Sequence, residues 1–424
     1  MTRQRPLHAT RMLAALTALS CLLLPASFAW AGSAKEVQAE AADAAKQAEP
    51  IRASASPDAN APSASAPADP DPAHADHAPR IDVVFVLDTT GSMSGLIDGA
   101  KRKIWHIANG IVSEKPTPRV RFGLVAYRDR GDDYITKRFD LTENIDEVYE
   151  NLQGFAADGG GDGPESVNQA LHEAVTEMSW DESRSVTKII FLVGDAPPHM
   201  DYENDVEYPE VCKVAVKNDL IINTVQCGSM NGTREVWQKI ARLAEGNYAA
   251  IGQSGDMRVV STPHDEKLAE LNREIGQTMV PYGDRASREK QAFRQRRSEA
   301  AEAEVAADRA SYMSAKAAPA AGEPLTGRDL TDALEGQTVS LEDVEVDKLP
   351  EKLQKMSEEQ RKQYLEKQVA RRAELKNKIR ETQAARRQYI EKQQEAEGEK
   401  DGFDAKVLEW VREQSKRGEA PAEE

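Results

Sequence analysis

Three polar stretches of the chain carry residue types that could bind a metal ion. The first is Asp88-Thr89-Thr90-Gly91-Ser92, the second is DGGGDGPES at 158–166, and the third is GDAPPH at 194–199. Their carboxylates and hydroxyls are hard oxygen donors, which suit Mg²⁺, Mn²⁺ or Ca²⁺ and suit Zn²⁺ poorly. The candidate metal ligands are Asp88, Thr90, Ser92, Asp195 and, from the middle stretch, Asp162 or Glu165.

Each stretch also has a purely structural interpretation when it is taken alone. Asp88 could cap a helix, with Thr90 and Ser92 as turn formers. The glycine-rich stretch could be a flexible loop, and GDAPPH could be a strand that ends in a proline turn. The joint occurrence of all three beside predicted strands favours one shared site.

The segments around these stretches predict the elements that bring them together. Apolar runs rich in Val, Ile and Leu on both faces predict buried strands, at 81–87, 120–127, 187–193 and 220–227. The alternating run 134–141 predicts an edge strand, and 247–251 predicts a last strand. Helical patterns lie between them, at 95–112, 145–152, 165–178, 206–217, 234–243 and 265–279.

The alternation of strands and helices predicts an α/β fold. It is expected to be a Rossmann-like three-layer sandwich with a mostly parallel central sheet. In such open sheets ligands bind beyond the carboxyl ends of the strands, near the point where the strand order reverses. The sequence therefore predicts that the three polar stretches share one crevice.

The chain resembles the von Willebrand factor type A (VWA) domain over about 80–283. In that family the metal-ion-dependent adhesion site is an Asp-x-Ser-x-Ser stretch after the first strand, a Thr in a later loop and an Asp after the fourth strand. Asp88-x-Thr90-x-Ser92 is similar to the first element, with Thr in place of the first Ser, and Asp195 in FLVGDAPPH is similar to the last.

The middle element departs from the family pattern, because GGGDGPES contains no Thr. Asp162 is the first candidate for that place and Glu165 the second. The resemblance implies that an Asp or Glu of a partner protein replaces a water on the ion and binds through the metal. It also implies that the last helix of the domain, 265–279, can shift when a ligand binds.

The N-terminal region predicts export from a bacterial cell. Arginines precede an apolar run at 12–28 and the small-residue site Ala29-Trp30-Ala31, so a signal peptide is expected at 1–31 and a periplasmic or secreted location follows. A membrane helix is the alternative. The Ala- and Pro-rich stretch 32–79 is expected to be a disordered linker. Cys212 and Cys227 would remain after export, either as a disulfide or as buried free thiols.

The C-terminal third of the chain is rich in charged residues and differs in composition from the VWA-like segment 80–283. A partly disordered segment is expected at 284–348 and a helical, coiled-coil-like tail at 349–424. Leu365, Leu375 and Ile379 belong to an apolar stripe with spacings of three and four, which residues such as Arg372 and Gln383 interrupt. The pattern predicts a long charged helix that docks on a partner, pairs with itself or stands in water.

The charge balance favours cations or basic surfaces as partners. Asp and Glu number 72 against 55 Lys and Arg, for a net charge of −17, which argues against nucleic acid. The expected function is that of an exported, Mg²⁺-dependent (or Mn²⁺- or Ca²⁺-dependent) protein-binding module for adhesion or assembly, without catalysis. The acidic loop APPHMDYENDVEYPE that follows Asp195 is expected to shape the choice of partner.

Two other functions compete with metal-dependent binding. DTTGS resembles the DKTGT of phosphoryl-transferring pumps and haloacid-dehalogenase-like phosphatases, in which the Asp is a nucleophile, so Asp88 could serve in that role. The downstream acidic pair that such enzymes use is missing here, and so is a Gly-x-x-x-x-Gly-Lys-Ser/Thr nucleotide loop. Alternatively the protein is a scaffold that acts mainly through its helical tail.

Overall fold

A computed structural model of the protein describes residues 78–161, 163–318, 328–397 and 402–416. The expected signal peptide, nearly all of the expected linker and the site candidate Asp162 lie outside the described residues. Within the described ranges, none of the helices combines the length and the apolar composition that a bilayer crossing requires.

A six-stranded mixed sheet forms the centre of the molecule. The strands are β1 (Arg80–Asp88), β2 (Arg119–Tyr127), β3 (Thr136–Thr142), β4 (Val186–Gly194), β5 (Leu220–Cys227) and β6 (Tyr248–Ile251). Their order is β3-β2-β1-β4-β5-β6, and every pair is parallel except β2 and β3. This confirms the α/β fold with a mostly parallel sheet, and the alternating run lies on the antiparallel edge strand as predicted.

Helices cover both faces of this sheet. In chain order they are α1 (Ser94–Val112), α2 (Ile145–Gln153), α3 (Val167–Thr176), α4 (Tyr208–Lys217), α5 (Thr233–Leu243) and α6 (Asp265–Gly276). Val83 and Phe85 of β1 pack in the core that contains α1 and α2, while Val84 and Val86 pack in the core that contains α3, α4 and α5. Because both faces of the strand are buried, its sequence is continuously apolar instead of alternating.

The two cysteines lie in different cores. Cys212 packs on the α4 side of the sheet and Cys227 in the core on the opposite face, and both are buried free thiols. Of the two alternatives expected from the sequence, the free thiols are confirmed.

In the described ranges, six further α-helices follow the sheet. They are α7 (Arg285–Glu299), α8 (Ala303–Ala315), α9 (Leu330–Glu335), α10 (Glu351–Gln354), α11 (Glu358–Glu397) and α12 (Phe403–Ser415). The segment 284–348, for which partial disorder was expected, therefore contains α7, α8 and α9. Helix α8 packs between α1 and α6, because its alanines, among them Ala306, Ala307 and Ala310, allow the helices to approach closely.

The long helix α11 packs on the rest of the described fold through two buried arginines. Arg372 Nη1 lies 2.5 Å from an oxygen of Asp329 and 2.5 Å from one of Asp332. Arg386 donates to Asp265 and Asp308 at 2.6 Å each. Arg372, which interrupts the apolar stripe in the sequence, thus belongs to the buried face of α11. Its charge is compensated there by Asp332 of α9 and by Asp329, the residue before α9.

Helix α12 completes the core beside α1. The Phe403 ring meets Phe85 edge-on at 6.0 Å, and Trp410 stacks on Phe191 at 6.2 Å. The amides of Asn223 and Gln414 exchange two buried hydrogen bonds of 2.9 and 2.8 Å. Helix α12 is therefore part of the domain core, although about 130 residues separate it from α6.

We predict that Arg372→Ala strongly destabilises the protein whereas Arg371→Ala does not. The Arg372 side chain is 1% exposed, so its loss leaves the buried carboxylate of Asp329 without its cation and Asp332 with Lys316 alone, at a cost of about 3–5 kcal/mol. The Arg371 side chain is 44% exposed and makes surface ion pairs, so its loss should cost at most about 1 kcal/mol. Urea unfolding of both variants measures the difference, and equal midpoints would contradict the assigned role of the buried pair.

Candidate metal site

The ends of β1 and β4 form the floor of the candidate site. Asp88 is the last residue of β1, and Asp195 is the first residue after β4. These strands are parallel neighbours, so both carboxylates lie at the same edge of the sheet. The strand order reverses between β1 and β4, which is where ligands bind in open α/β sheets.

The stretch that follows β1 folds back on its own aspartate. Oδ1 of Asp88 accepts hydrogen bonds from the backbone N–H of Thr90 at 2.9 Å and from the Thr90 hydroxyl at 2.6 Å. The Thr90 and Ser92 hydroxyl oxygens are 3.3 Å apart. Residues at spacings of two are therefore gathered into one oxygen cluster by a local turn, as expected from the sequence.

One oxygen at the floor has no partner among the described residues. Asp88 is 0% exposed, and its Oδ2 makes no hydrogen bond there. Buried carboxylate oxygens are normally satisfied, and an orphaned one points to a missing ion, water or partner. The donor set and this orphaned oxygen fit a divalent cation.

The glycine-rich loop lies directly over the first stretch. Gly91 N–H donates to the Gly159 carbonyl at 3.2 Å. Gly160 has a φ of +82°, and a Cβ at that residue would lie 3.3 Å from Thr90 Cβ and 3.5 Å from Glu165 Oε1. A glycine is required here because of the left-handed backbone, and it leaves room for Thr90 and Glu165 beside the loop.

Glu165 is the candidate ligand of the middle stretch, 158–166, that lies within the described residues. It is 4% exposed, and its Oε2 makes no hydrogen bond there. Its N–H donates to the Pro197 carbonyl at 2.9 Å, and its carbonyl accepts from His199 N–H at 3.0 Å. The stretches 158–166 and 194–199 are thereby joined through their backbones. The other candidate of the first of these, Asp162, lies outside the described residues.

The floor is an unfavourable place for ionised carboxylates. Burial raises the pKa of Asp88 to about 7, against the hydrogen bonds from Thr90 that lower it, and the charge of Asp195 adds to the increase. Burial also raises the pKa of Glu165 to about 9, and the charges of Asp88 and Asp129 contribute to that shift. A divalent cation would stabilise the ionised forms of both groups.

Carboxylates alone do not complete a metal site here. Among the described residues, no three His, Cys, Asp or Glu side chains form a group that could hold a metal ion. An ion at the floor would therefore use the hydroxyls of Thr90 and Ser92, with waters filling the positions that remain.

Sequence reasoning missed Gln253, which contacts two of the predicted ligands. Its side-chain amide donates to Asp195 Oδ2 at 2.7 Å and to the Ser92 carbonyl at 3.3 Å. Two residues further on, the Gly255 carbonyl accepts from the N–H of Phe403 at 2.9 Å, so the same loop contacts α12. The available signal was the polar stretch GQSGD directly after β6.

A second missed residue is Asp129, which follows β2 at the same edge. Its oxygens accept from the Ser166 hydroxyl at 2.9 Å and from the Tyr202 hydroxyl at 2.8 Å. The His199 ring is buried and stacks on Tyr202 at 4.2 Å. The loop after Asp195 is therefore fixed to the floor, and the signal for this arrangement was the acidic stretch RDRGDD after β2.

Comparison with known families identifies this part of the chain. Residues 82–262 match the family model of the von Willebrand factor A domain. This segment is a von Willebrand factor A domain. The resemblance expected from the sequence is thus confirmed at the level of the domain.

Two curated proteins are similar to this chain over short stretches. An ariadne-like RING finger protein, R811, of Acanthamoeba polyphaga mimivirus is 28% identical over 124 residues, which are 29% of this chain and 12% of that protein. The alpha-protein kinase vwkA of Dictyostelium discoideum is 27% identical over 122 residues, which are 28% of this chain and 19% of that protein. Because so little of either protein is matched, the kinase and RING finger functions are not carried over.

Two solved structures are also similar to part of this chain. The SpRpn10 VWA domain has a TM-score of 0.33 at 15% identity and covers 42% of this chain and 90% of its own. Proximal thread matrix protein 1 from the mussel byssus has a TM-score of 0.32 at 16% identity and covers 42% of each chain.

We predict that Glu165→Gln stabilises the metal-free A domain and weakens its binding of Mg²⁺. The pKa of Glu165 is about 9 in the fold against an ordinary 4.5, so between these values folding takes up a proton and wild-type stability falls as the pH rises. Glutamine has no such group, so the pH dependence should be weaker. Urea unfolding in chelator from about pH 5 to about pH 9 measures it.

The same variant should lose Mg²⁺ affinity in calorimetry, because the neutral amide is a weaker ligand for a hard cation. The matched control is Glu173→Gln, on α3, whose carboxylate is bonded to Thr136 away from the floor. Equal pH slopes for wild type and Glu165→Gln would show that Glu165 is not a strained buried acid.

Proposed function

We propose that this protein is an exported, divalent-metal-dependent protein-binding module that serves adhesion or assembly. An ion at the carboxyl end of β1 and β4 would coordinate a carboxylate of a protein partner. The observation that carries the proposal is the pair of buried carboxylate oxygens, Asp88 Oδ2 and Glu165 Oε2, that have no hydrogen-bond partner among the described residues. Export rests on the N-terminal sequence pattern.

The residues that would hold the ion are Asp88, Thr90, Ser92, Asp195 and Glu165. Asp162 remains the alternative from the middle stretch, 158–166. Mg²⁺ fits a set of two hydroxyls with a few carboxylates and waters, and Mn²⁺ or Ca²⁺ accepts the same donors. The bound ion would supply an electrophilic position at which a partner's carboxylate replaces a water.

The surroundings of Asp88 favour binding over phosphoryl transfer. A nucleophilic carboxylate needs an oxygen that a phosphoryl group can approach in line. Asp88 is 0% exposed, and one of its oxygens already accepts two hydrogen bonds from Thr90. These contacts suit a carboxylate that coordinates a metal ion, because they hold the Asp88 side chain in place and shield it from solvent.

The packing of α11 favours the A domain over the tail as the main binding element. The apolar face of α11 includes Leu375 and Ile379, which are buried in the same core as α1 and α6. Arg372 and Arg386 of that face are paired with acidic side chains of the chain itself. This face is therefore used within the molecule, and little of it is left for a partner.

We predict that Asp88→Asn and Asp195→Asn lower the affinity for Mg²⁺ by about 100-fold or more, because each removes a charged ligand. The matched control is Asp98→Asn, an exposed aspartate on α1, which should bind Mg²⁺ like the wild type. Calorimetry measures the affinities, and thermal unfolding in chelator checks that all variants are folded. Undiminished binding by both site variants would exclude this site.

Partner capture tests the binding function itself. The mature wild-type protein is cross-linked to its partners in Mg²⁺ and in chelator, next to Asp88→Asn and Asp98→Asn. Partners of the site should be captured by the wild type and by Asp98→Asn in Mg²⁺ only. Capture of the same partners in chelator and by Asp88→Asn would instead support the scaffold function.

A further inference from the structure

The surface around one side of the candidate site is acidic. We name as the acidic rim six carboxylates that are exposed or half-buried on the loops after β2, before α3 and after β4: Asp132, Asp133, Asp158, Asp201, Glu203 and Glu207. The described arginines of these loops, Arg128 and Arg130, are outnumbered by these six carboxylates, and Arg130 is already paired with Asp205. On the β5 side the edge is mixed, with Arg234 and Glu235 both exposed.

The acidic rim is attached to the loops that carry the candidate ligands. The carboxylate of Asp132 accepts from the N–H of Gly160 at 3.1 Å, beside Thr90 and Glu165. The Asp201 carboxylate lies 2.8 Å from Nδ1 of His199, and the backbone N–H of His199 donates to the Glu165 carbonyl. A partner that reaches the floor of the site must therefore pass these charges.

The part of the rim that carries Glu203 and Glu207 is ordered. Tyr202 donates its hydroxyl to Asp129 at 2.8 Å, and the Arg130 guanidinium lies 3.9 Å from the centre of its ring. The loop after β4 is thus held by the Tyr202 side chain against Asp129 and Arg130 of the loop after β2. The anchored Tyr202 therefore keeps the segment that carries Glu203 and Glu207 close to the floor of the site, where their charges can contribute to specificity.

Exposed apolar side chains lie among these charges. Met200 and Val206 belong to the loop after β4, which also carries Asp201, Glu203 and Glu207. The Met230 sulfur would lie 3.9 Å from a Cβ placed at Gly163. Methionine side chains adapt to partners of different shape. Exposed apolar groups beside a polar site are typical of protein-binding surfaces.

We propose that the partner presents one acidic residue flanked by basic and aliphatic residues, and this inference rests on the proposed function of the site. Two independent observations carry it: the acidic rim with its apolar neighbours, and the orphaned oxygens of Asp88 and Glu165 in the floor. A single carboxylate would bind the ion. Lysine or arginine beside it would compensate the rim, and an acidic segment would be repelled by it.

Three synthetic peptides of equal length test the proposal. The first has one central Asp between Lys and Leu residues, the second has the same Asp between Glu and Leu residues, and the third has Asn in place of Asp between Lys and Leu. Their affinities for the full chain are measured in Mg²⁺ and in chelator. The first peptide should bind in Mg²⁺ about tenfold more tightly than the second, and the advantage should shrink with added salt, because rim charges are screened.

Two variants assign the preference to the rim. Glu203→Gln with Glu207→Gln removes two exposed charges and leaves the candidate ligands intact. The advantage of the first peptide should fall about three- to tenfold in this variant. The matched control is Glu358→Gln with Glu366→Gln, two exposed glutamates on α11, for which the advantage should stay as in the wild type.

The outcomes separate this inference from the proposed function. Binding that needs Mg²⁺ and the central Asp, but is equal for the Lys- and Glu-flanked peptides, overturns the inference and leaves the function standing. A preference for the Lys-flanked peptide that is indifferent to Mg²⁺ and to the Asn exchange supports the acidic rim and overturns the function. Loss of the preference in the α11 control as well would also overturn the inference, because the effect would then be one of net charge.

Discussion

The crowding of carboxylates at the carboxyl end of β1 and β4 is the constraint on which the site depends. Asp88 and Glu165 are buried in a setting that disfavours their ionised forms, and each keeps one oxygen without a hydrogen bond among the described residues. Such an arrangement costs stability in the metal-free protein. The arrangement persists because the fold fixes both residues. Asp88 is fixed by the parallel pairing of β1 with β4, and Glu165 by its backbone hydrogen bonds to the loop after β4.

The helices that follow the A domain contribute to the rigidity of this edge. Helix α12 packs against Phe85 and Phe191, and its N-terminus is bonded to the loop that also holds Gln253. Gln253 in turn donates to Asp195. A continuous set of contacts thus connects helix α12 with a candidate ligand. The A domain and its C-terminal helices are therefore best regarded as one structural unit in the described residues.

Charge serves opposite purposes in the two halves of this unit. On the buried face of α11, Arg372 and Arg386 neutralise acidic side chains of the helices beneath them, so the charges hold the fold together. Around the candidate site, carboxylates lie beside one another and outnumber the arginines of the same loops, of which Arg130 is already paired with Asp205. That imbalance is unfavourable within the protein, and an external cation or a basic partner can relieve it.

The sequence by itself determined the sheet, its intervening helices and the local part of the site. Strands buried on both faces need continuous apolar runs, and the Asp88, Thr90 and Ser92 cluster is made by one turn, so both are encoded by neighbouring residues. The tertiary structure decided the rest: the position of Glu165, the contact of Gln253 with Asp195, and the burial of Arg372. A polar or charged residue can be buried only where distant parts of the chain supply its partners, and local patterns do not contain that information.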